Sequence, residues 1–318
     1  MARIEVAFQN CTNLFPAGVV QRGPQSPATV RAKVDALGDE MRANLGTPHL
    51  LGLCEVYDEP LARQLLRRMG LGSYGIEFRP SATANETGIA VCFDPGALTP
   101  VPGEVVADLD LRPASRRPRW LAVAFEVLTG NRGGFWFVAN HWKSQRGGAL
   151  QTDPDRQESA YLLGEFFMNR ARNLTEAMLL IGDFNCEPGD PPLTTQSQRL
   201  SPQTAKPNML RSVRERALVL RDRNKRAYFY NCMWSFMDEP DTLAIAALPG
   251  YVPSRPMGTH GTALSQPGSA GWIMFDHVMA SKRMLHGGPM AIDEASVNIH
   301  PPKNGSADHA AISVVINC

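Results

Sequence analysis

The sequence predicts an α/β protein, and two observations carry that reading. Short apolar runs of strand length alternate along the chain with longer segments whose apolar residues recur every three or four positions. Several of the strand-like runs stop abruptly at an acid, an amide or a histidine, so polar chemistry collects at strand ends. The 318 residues are 43% hydrophobic with no low-complexity tract, which suffices for a large core.

Residues 3–8 alternate polar and apolar, with Ile4, Val6 and Phe8 on one face, and read as a strand. It runs into Asn10 and Asn13, which on their own read as turn formers. Between residues 27 and 45 the apolar positions Val30, Val34, Leu37, Met41 and Leu45 mark an amphipathic helix closed by Gly46. Residues 49–56 form a second buried strand with Glu55 near its end. A carboxylate in such a run is paired, protonated, bound to a cation or already at the exposed tip, because an unpaired buried charge is prohibitive. Residues 60–69 form a short helix, Pro60 at its start and Gly70 after its end. Residues 86–93, 104–109 and 119–128 are further strands. The last two flank a loop with Arg112, Arg116, Arg117 and Arg119 and no acid, ordinarily a solvated loop and otherwise a phosphate holder. Residues 135–139 are the next strand, ending in Asn140-His141-Trp142-Lys143-Ser144 and then Gln145-Arg146-Gly147-Gly148. A histidine beside Lys143 and Arg146 at a sheet edge is a phosphate-site candidate. Residues 156–172 read as a helix with Leu162, Leu163, Phe166 and Phe167 on its core face.

The centre of the chain is residues 177–188, AMLLIGDFNCEP. The apolar run Met178–Ile181 is a buried strand, and Gly182 permits a turn or a close approach. Asp183 and Asn185 sit two apart, so an extended backbone would point both the same way. The ordinary alternative is a strand-to-loop corner with an Asx turn. Residues 211–226 hold seven basic side chains against two acids, a second local basic patch. The aromatics Tyr228, Tyr230, Trp234 and Trp272 read as core. Residues 272–275 and 310–316 are closing strands beside Asp276-His277 and Ser306-Ala307-Asp308-His309. His260, His286 and His300 read as surface or structural.

The formal net charge of +1 excludes a strong global field toward nucleic acid or membrane, so phosphate binding has to come from local groups. Six scattered cysteines without a CxxC pair exclude a thiolate zinc motif and argue against a disulfide framework. With no secretion-like leader and no apolar run near the roughly 20 residues of a membrane span, the expectation is a reduced, cytoplasmic protein without a membrane partner.

Taken in order, Asn10, Glu55, Asn140-x-x-Lys143 with His141, Gly182-Asp183-Phe184-Asn185, Asp276-His277 and Ser306-Ala307-Asp308-His309 resemble the motifs of the endonuclease/exonuclease/phosphatase superfamily, which includes pancreatic-type deoxyribonucleases. Gln9 stands where many members carry tryptophan, and Thr12 where some carry an acid. The resemblance spans the chain as one domain, residues 1–318. It implies a four-layer α/β sandwich, two packed mixed β-sheets flanked by helices, with the site where strand ends converge. It further implies Mg2+ (with Mn2+ able to substitute) held by Glu55, Asn10 and Asp308. His309 would touch the scissile phosphate and pair with Asp276, Asp183 would act as general base, and Asn185 would hold the phosphate. His141 would be a second phosphate-facing histidine with Glu86 as its carboxylate partner, while Lys143 and Arg146 bind phosphate.

That set suits in-line attack of water on a phosphodiester, where a cation, imidazolium groups and an amide stabilise the charge that builds on phosphorus oxygens. The expected function is a Mg2+-dependent nuclease with DNA as its nucleic-acid substrate. The alternatives are a phosphodiesterase or phosphatase on a small or lipid-derived phosphate, and a catalytically silent binding module.

Overall fold

The computed structural model describes residues 2–19, 26–83, 86–111, 118–130, 133–194, 209–222, 226–237, 259–261, 272–302 and 307–318. Its first eight strands are β1 (Arg3–Leu14), β2 (Leu50–Val56), β3 (Gly75–Arg79), β4 (Gly88–Phe93), β5 (Leu98–Ala107), β6 (Trp120–Val127), β7 (Gly134–His141) and β8 (Met178–Asp183). The remainder are β9 (Arg211–Val213), β10 (Tyr228–Asn231), β11 (His260–Gly261), β12 (Trp272–Ile273), β13 (Asp276–Ser281), β14 (Ala291–His300) and β15 (Ala311–Asn317). The helices that matter below are α1 (Pro27–Leu45), α2 (Glu59–Met69), α3 (Asp108–Leu111) and α4 (Ala149–Phe166).

Two mixed sheets result. One has six strands in the order β14-β15-β1-β2-β4-β3, the other seven in the order β5-β6-β7-β8-β13-β10-β9, and β11 pairs with β12 as a small ribbon. The period-two alternation of the strands decides what faces what. In β1, Ile4, Val6 and Phe8 turn inward and meet Phe137, Leu179, Ile181 and Val278 of the second sheet in one buried cluster. Ala7 and Cys11 of the same strand turn outward onto Val34 and Leu37 of α1 and Leu65 of α2. On the far side, Trp120, Trp136 and Leu180 pack against Leu163 and Phe166 of α4. The result is helix, sheet, sheet, helix: the four-layer sandwich. The sheets lie close enough that a Cβ on Gly52 would come within 2.7 Å of the Phe8 ring and 3.2 Å of the Phe137 ring.

The expected helix at 27–45 and the expected strands up to residue 93 are present, with boundary shifts of a few residues. The strand expected at 104–109 instead runs from Leu98 to Ala107, and Asp108 opens α3. Its Pro100 and Pro102 are tolerated because β5 is the edge of its sheet and its register slips between Pro100 and Val105. The helix expected at 156–172 begins earlier, at Ala149, carries Pro154 inside it, and continues as a π-helical turn, Phe167–Ala171. Strands β3, β9, β10, β11 and β14 were not legible as strands, and the strand expected at 272–275 is cut to β12 over Trp272–Ile273, with Asp276 opening β13 instead of following a strand end. All six cysteines are buried and none is bonded to another. Among the described residues no helix is long and apolar enough to cross a membrane.

Candidate active site

In the seven-stranded sheet, β7 and β8 run parallel with His141 opposite Asp183, and β13 runs antiparallel with Asp276 opposite Asp183. Register therefore lays His141, Asp183 and Asp276 in one row across three neighbouring strands. Gly182 makes the row possible: its φ is +135°, and a Cβ there would sit 2.4 Å from the Asn140 carbonyl oxygen. Asn140 itself is buried and structural, donating to the carbonyls of Val138 (3.0 Å) and Ile181 (3.3 Å) and accepting from the Trp142 indole (3.1 Å).

Beyond Gly182 the backbone leaves the extended conformation, with Asn185 left-handed at φ 50°. Its N–H donates to Asp183 Oδ1 (2.8 Å), and its side-chain amide donates to the Trp142 carbonyl (3.1 Å). The expectation that Asp183 and Asn185 leave the sheet side by side is thus corrected. An Asx-type corner forms, and it fixes the carboxylate.

The six-stranded sheet contributes through irregularities. Between the pairs Cys54↔Ile89 and Val56↔Gly88, β2 has one residue more than β4, and that residue is Glu55, at φ 57°. Between Asn10↔Cys54 and Leu14↔Val56, β1 carries two extra residues relative to β2, and Thr12 and Asn13 within it are left-handed at φ 49° and 55°. Bulges re-aim side chains at the rims of sheets. Here they turn the Asn13 N–H onto Glu55 Oε2 (2.6 Å) and the Thr12 N–H onto Asn10 Oδ1 (2.9 Å). Lys33 of α1 donates to the carbonyls of Thr12 and Asn13 and ties the bulge to the helix behind it.

The two sheets meet at Asn10, whose amide nitrogen lies 3.1 Å from Asp183 Oδ2 and 3.5 Å from Glu55 Oε1. His141 Nε2 is 3.3 Å from Glu55 Oε1. His309 Nδ1 lies 2.8 Å from Asp276 Oδ2, and its Nε2 faces Asp183 Oδ2 at 3.7 Å, beyond a direct hydrogen bond. The Thr12 hydroxyl donates to Asp308 Oδ1 at 2.6 Å. Seven expected residues, Asn10, Glu55, His141, Asp183, Asp276, Asp308 and His309, are therefore linked into one cluster. Glu86 is the exception: the carboxylate against His141 is Glu55, and Glu86 accepts from the Ser81 hydroxyl at 3.3 Å. The physical reason is the β2 bulge, which swings Glu55 toward the end of β7.

Burial dominates the electrostatics. It opposes ionisation of Glu55, but the His141 hydrogen bond and charge outweigh it and hold the carboxyl at about 2. Burial raises Asp183 to about 6, against the pull of His309 and with the push of Asp276. Burial opposes the His309 imidazolium, yet Asp276 and Asp183 more than compensate and lift it to about 10. The site thus pairs a cationic imidazole with an acid that titrates near neutrality. His277, next to Asp276, is different in kind. It is fully buried, bonded to the Cys186 carbonyl through Nε2 (2.8 Å) and to Asn231 through Nδ1 (3.3 Å), and burial depresses it to about 4.

The donor set fits a hard divalent cation. Glu55, Asp183 and Asp308 offer carboxylate oxygens and the cysteines are buried in the core, as oxygen-seeking ions require. Two sets of three groups have ligand atoms mutually within 4.8 Å: Asp183, Asp276 and His309, and His260, Asp308 and His309. Glu55 is in neither and joins through Asn10 and His141.

Lys143 and Arg146 lie on the loop after β7. Its path is set by the buried Arg156, which donates to the Lys143 carbonyl (3.1 Å), the Ala149 carbonyl (2.7 Å) and Thr152 (2.8 Å). Arg112, Arg116 and Arg117 lie outside the described residues. In the second basic patch, Arg226 bonds Asp222, Arg216 pairs with Glu294, Arg211 donates to Thr194 and Tyr228, and Arg214 lies over the Trp234 ring. Those arginines are engaged locally. Sequence reading missed Lys33, Arg156, Thr12 as a partner of Asp308, and His260, whose ring stands against His309 with centroids 4.3 Å apart. Only Thr12 had a signal, its place in the first motif.

A family model described as the Endonuclease/Exonuclease/phosphatase family matches residues 29–245. A search of curated proteins gave no match. Among solved structures, humanized D. rerio TDP2 is similar with a TM-score of 0.59 and 11% identity over 99% of both chains. D. rerio TDP2 complexed with a single-strand DNA product gives 0.58 and 11% over 100% of both. The human Nocturnin catalytic domain with bound sulfate gives 0.52 and 15% over 99% of this chain and 94% of that one. At such identities the structural likeness speaks for the fold. The sequence match covers more than half of the chain, including the strands that bring Glu55, His141 and Asp183 together, and on it the chain belongs to the endonuclease/exonuclease/phosphatase family.

Proposed function

We propose that the protein is a Mg2+-dependent phosphodiester hydrolase acting on DNA. The observation that carries the reading is the buried Asp276–His309–Asp183 line, in which a cationic imidazole faces an acid of near-neutral pKa. Asp183 takes the proton of the attacking water. The Nε2–H of His309 donates to a phosphoryl oxygen, with Asp276 fixing the ring through Nδ1. His141, held by Glu55, supplies a second donor. Asn185 clamps Asp183 with its backbone N–H and keeps its second amide hydrogen for the phosphate. Lys143 and Arg146 contact flanking phosphates. Glu55, Asp308 and Asn10 would hold the cation, Mg2+ or Mn2+, whose chemistry is to neutralise charge developing on the phosphate. DNA is favoured by the likeness to TDP2, one of whose structures holds a single-strand DNA product.

The test is incubation with supercoiled plasmid and Mg2+, with an EDTA control and the Asp183→Asn variant. Nicking that needs metal and is absent from the variant is the expected result. Plasmid left intact while bis-p-nitrophenyl phosphate is hydrolysed would move the substrate to a small phosphoester. Inactivity on both would overturn the enzymatic reading.

A further inference from the structure

We propose that Thr259 and His260 are positioning residues for His309, and that His260 orients it mainly through the flat face of its ring. The proposal deepens the reading of His309 as the phosphate-facing group and rests on it. Asp276 and His309 come from different sheets: Asp276 opens β13 of the seven-stranded sheet, and His309 stands just before β15 of the six-stranded one. Their hydrogen bond crosses the sandwich, so its length depends on how the two strand ends are held to each other. The Thr259–Gly261 segment does the holding.

Thr259 is fully buried. Its hydroxyl oxygen accepts from the N–H groups of Phe275 (3.1 Å) and Asp276 (2.8 Å), and its own N–H donates to the Ile273 carbonyl (3.0 Å). On the other side its carbonyl accepts from the Ala310 N–H at 2.6 Å, and His260 forms a β-bridge with His309. One residue thus grips the backbone at Asp276 and the backbone next to His309. The His260 ring completes the grip. It stacks on Phe275 at 5.5 Å with planes 15° apart, and covers His309 at 4.3 Å with planes 37° apart. Its Nδ1 is buried with no hydrogen-bond partner. The ring also bonds the Asp308 backbone, next to His309, so a nitrogen as well as the face ties it to that segment. The plate limits the tilt of His309 about its bond to Asp276.

The experiment follows the His309 Nδ1 proton by NMR and steady-state kinetics in parallel, for His260→Ala, His260→Phe, Thr259→Val and Thr259→Ser. The expected result is a split. His260→Phe and Thr259→Ser keep slow exchange of that proton and kcat near the wild-type value. His260→Ala and Thr259→Val speed exchange and lower kcat by about tenfold or more with KM little changed, as loss of orientation at a reacting centre does. Equal damage from His260→Phe and His260→Ala would overturn the proposal and give the role to the nitrogens. Unchanged exchange and kcat in His260→Ala would overturn it outright. Should a truncation fail to fold, Thr259→Val and His260→Phe still decide. The exchange measurement needs no turnover, so an enzyme inactive on every phosphodiester would sink the proposed function while leaving this inference testable.

Discussion

Asp183 is costly where it stands, and that cost is a test of its role. Its ordinary pKa of 3.8 rises to about 6 in the fold because burial opposes its ionisation. A carboxyl with a raised folded pKa contributes no penalty below its unfolded value. The penalty grows as pH rises from about 3.8 to about 6, and it is complete above that. Asp183→Asn should therefore match or exceed wild-type stability at pH 7.5, by on the order of 2 kcal/mol, and lose that advantage at pH 4. In the same variant turnover should fall by about 10²–10⁴-fold. Urea midpoints at the two pH values check the first part and plasmid nicking the second; a variant that is active, or less stable at pH 7.5, would remove Asp183 as the general base. The same residues set the pH profile. The base has to be ionised, so activity falls below about 6. The imidazolium has to keep its proton, so activity falls again above about 10. A kcat/KM profile without an acid limb would contradict the assignment. His309→Ala is a poorer probe than His309→Gln, because glutamine can still donate a hydrogen bond to the buried Asp276 carboxylate, whereas truncation leaves that carboxylate with neither cation nor donor.

At the scale of elements, α1 supports the site through one side chain. Three left-handed residues, Thr12, Asn13 and Glu55, shape the junction of β1 and β2, and such conformations cost on the order of 1 kcal/mol or more each unless their surroundings hold them. Lys33 binds the carbonyls of two of them. Lys33→Met should relax the bulge, loosen Glu55 and raise the Mg2+ needed for half-maximal cleavage by about tenfold, as loss of a supporting partner does at metal sites. An unchanged Mg2+ titration would show that the bulge holds itself. This element also marks what was legible in the sequence. Helix α1 was, because its signals are local: Ser26 caps it by accepting from the Thr29 N–H (3.1 Å), Pro27 opens it and Gly46 ends it. The motif residues at strand ends were legible for the same reason, since a run of apolar residues stops where the chemistry starts. The direction in which those residues point was not. Spacing arguments assume regular strands, and Glu55, Asn185, Thr12 and Asn13 all depart from regular backbone. Strand β14 was hidden because its register slips between Asp293 and Asn298 and half its length is polar. Lys33 and His260 act on residues 20 or more positions away, at separations no local pattern encodes. Arg156 binds the carbonyls of Lys143, in the loop before its own helix, and of Ala149, which opens that helix, and its place on the helix does not announce this.

For the whole molecule, charge decides how a long polyanion would be held. The net charge is +1, so no general field draws DNA in, and affinity has to come from a few local cations. The sequence offered two arginine-rich stretches for that task. In the fold, Arg211, Arg216 and Arg226 of the second stretch bond Thr194, Glu294 and Asp222, and Arg214 lies over Trp234. Arginines engaged with local partners release few counterions on binding. Lys143 and Arg146 differ, since they stand on the loop that follows His141 and no acid among the described residues pairs with them. The double variant Lys143→Gln/Arg146→Gln should weaken binding of a DNA oligonucleotide to Asp183→Asn protein. It should also flatten the slope of log K against log salt by about two, one for each phosphate left without its cation. Arg211→Gln/Arg226→Gln should leave the slope within about half a unit of the parent and lower stability instead, by loosening the bonds to Asp222 and Thr194. The reverse pattern would place the DNA path over β9 and β10 and away from the loop after β7.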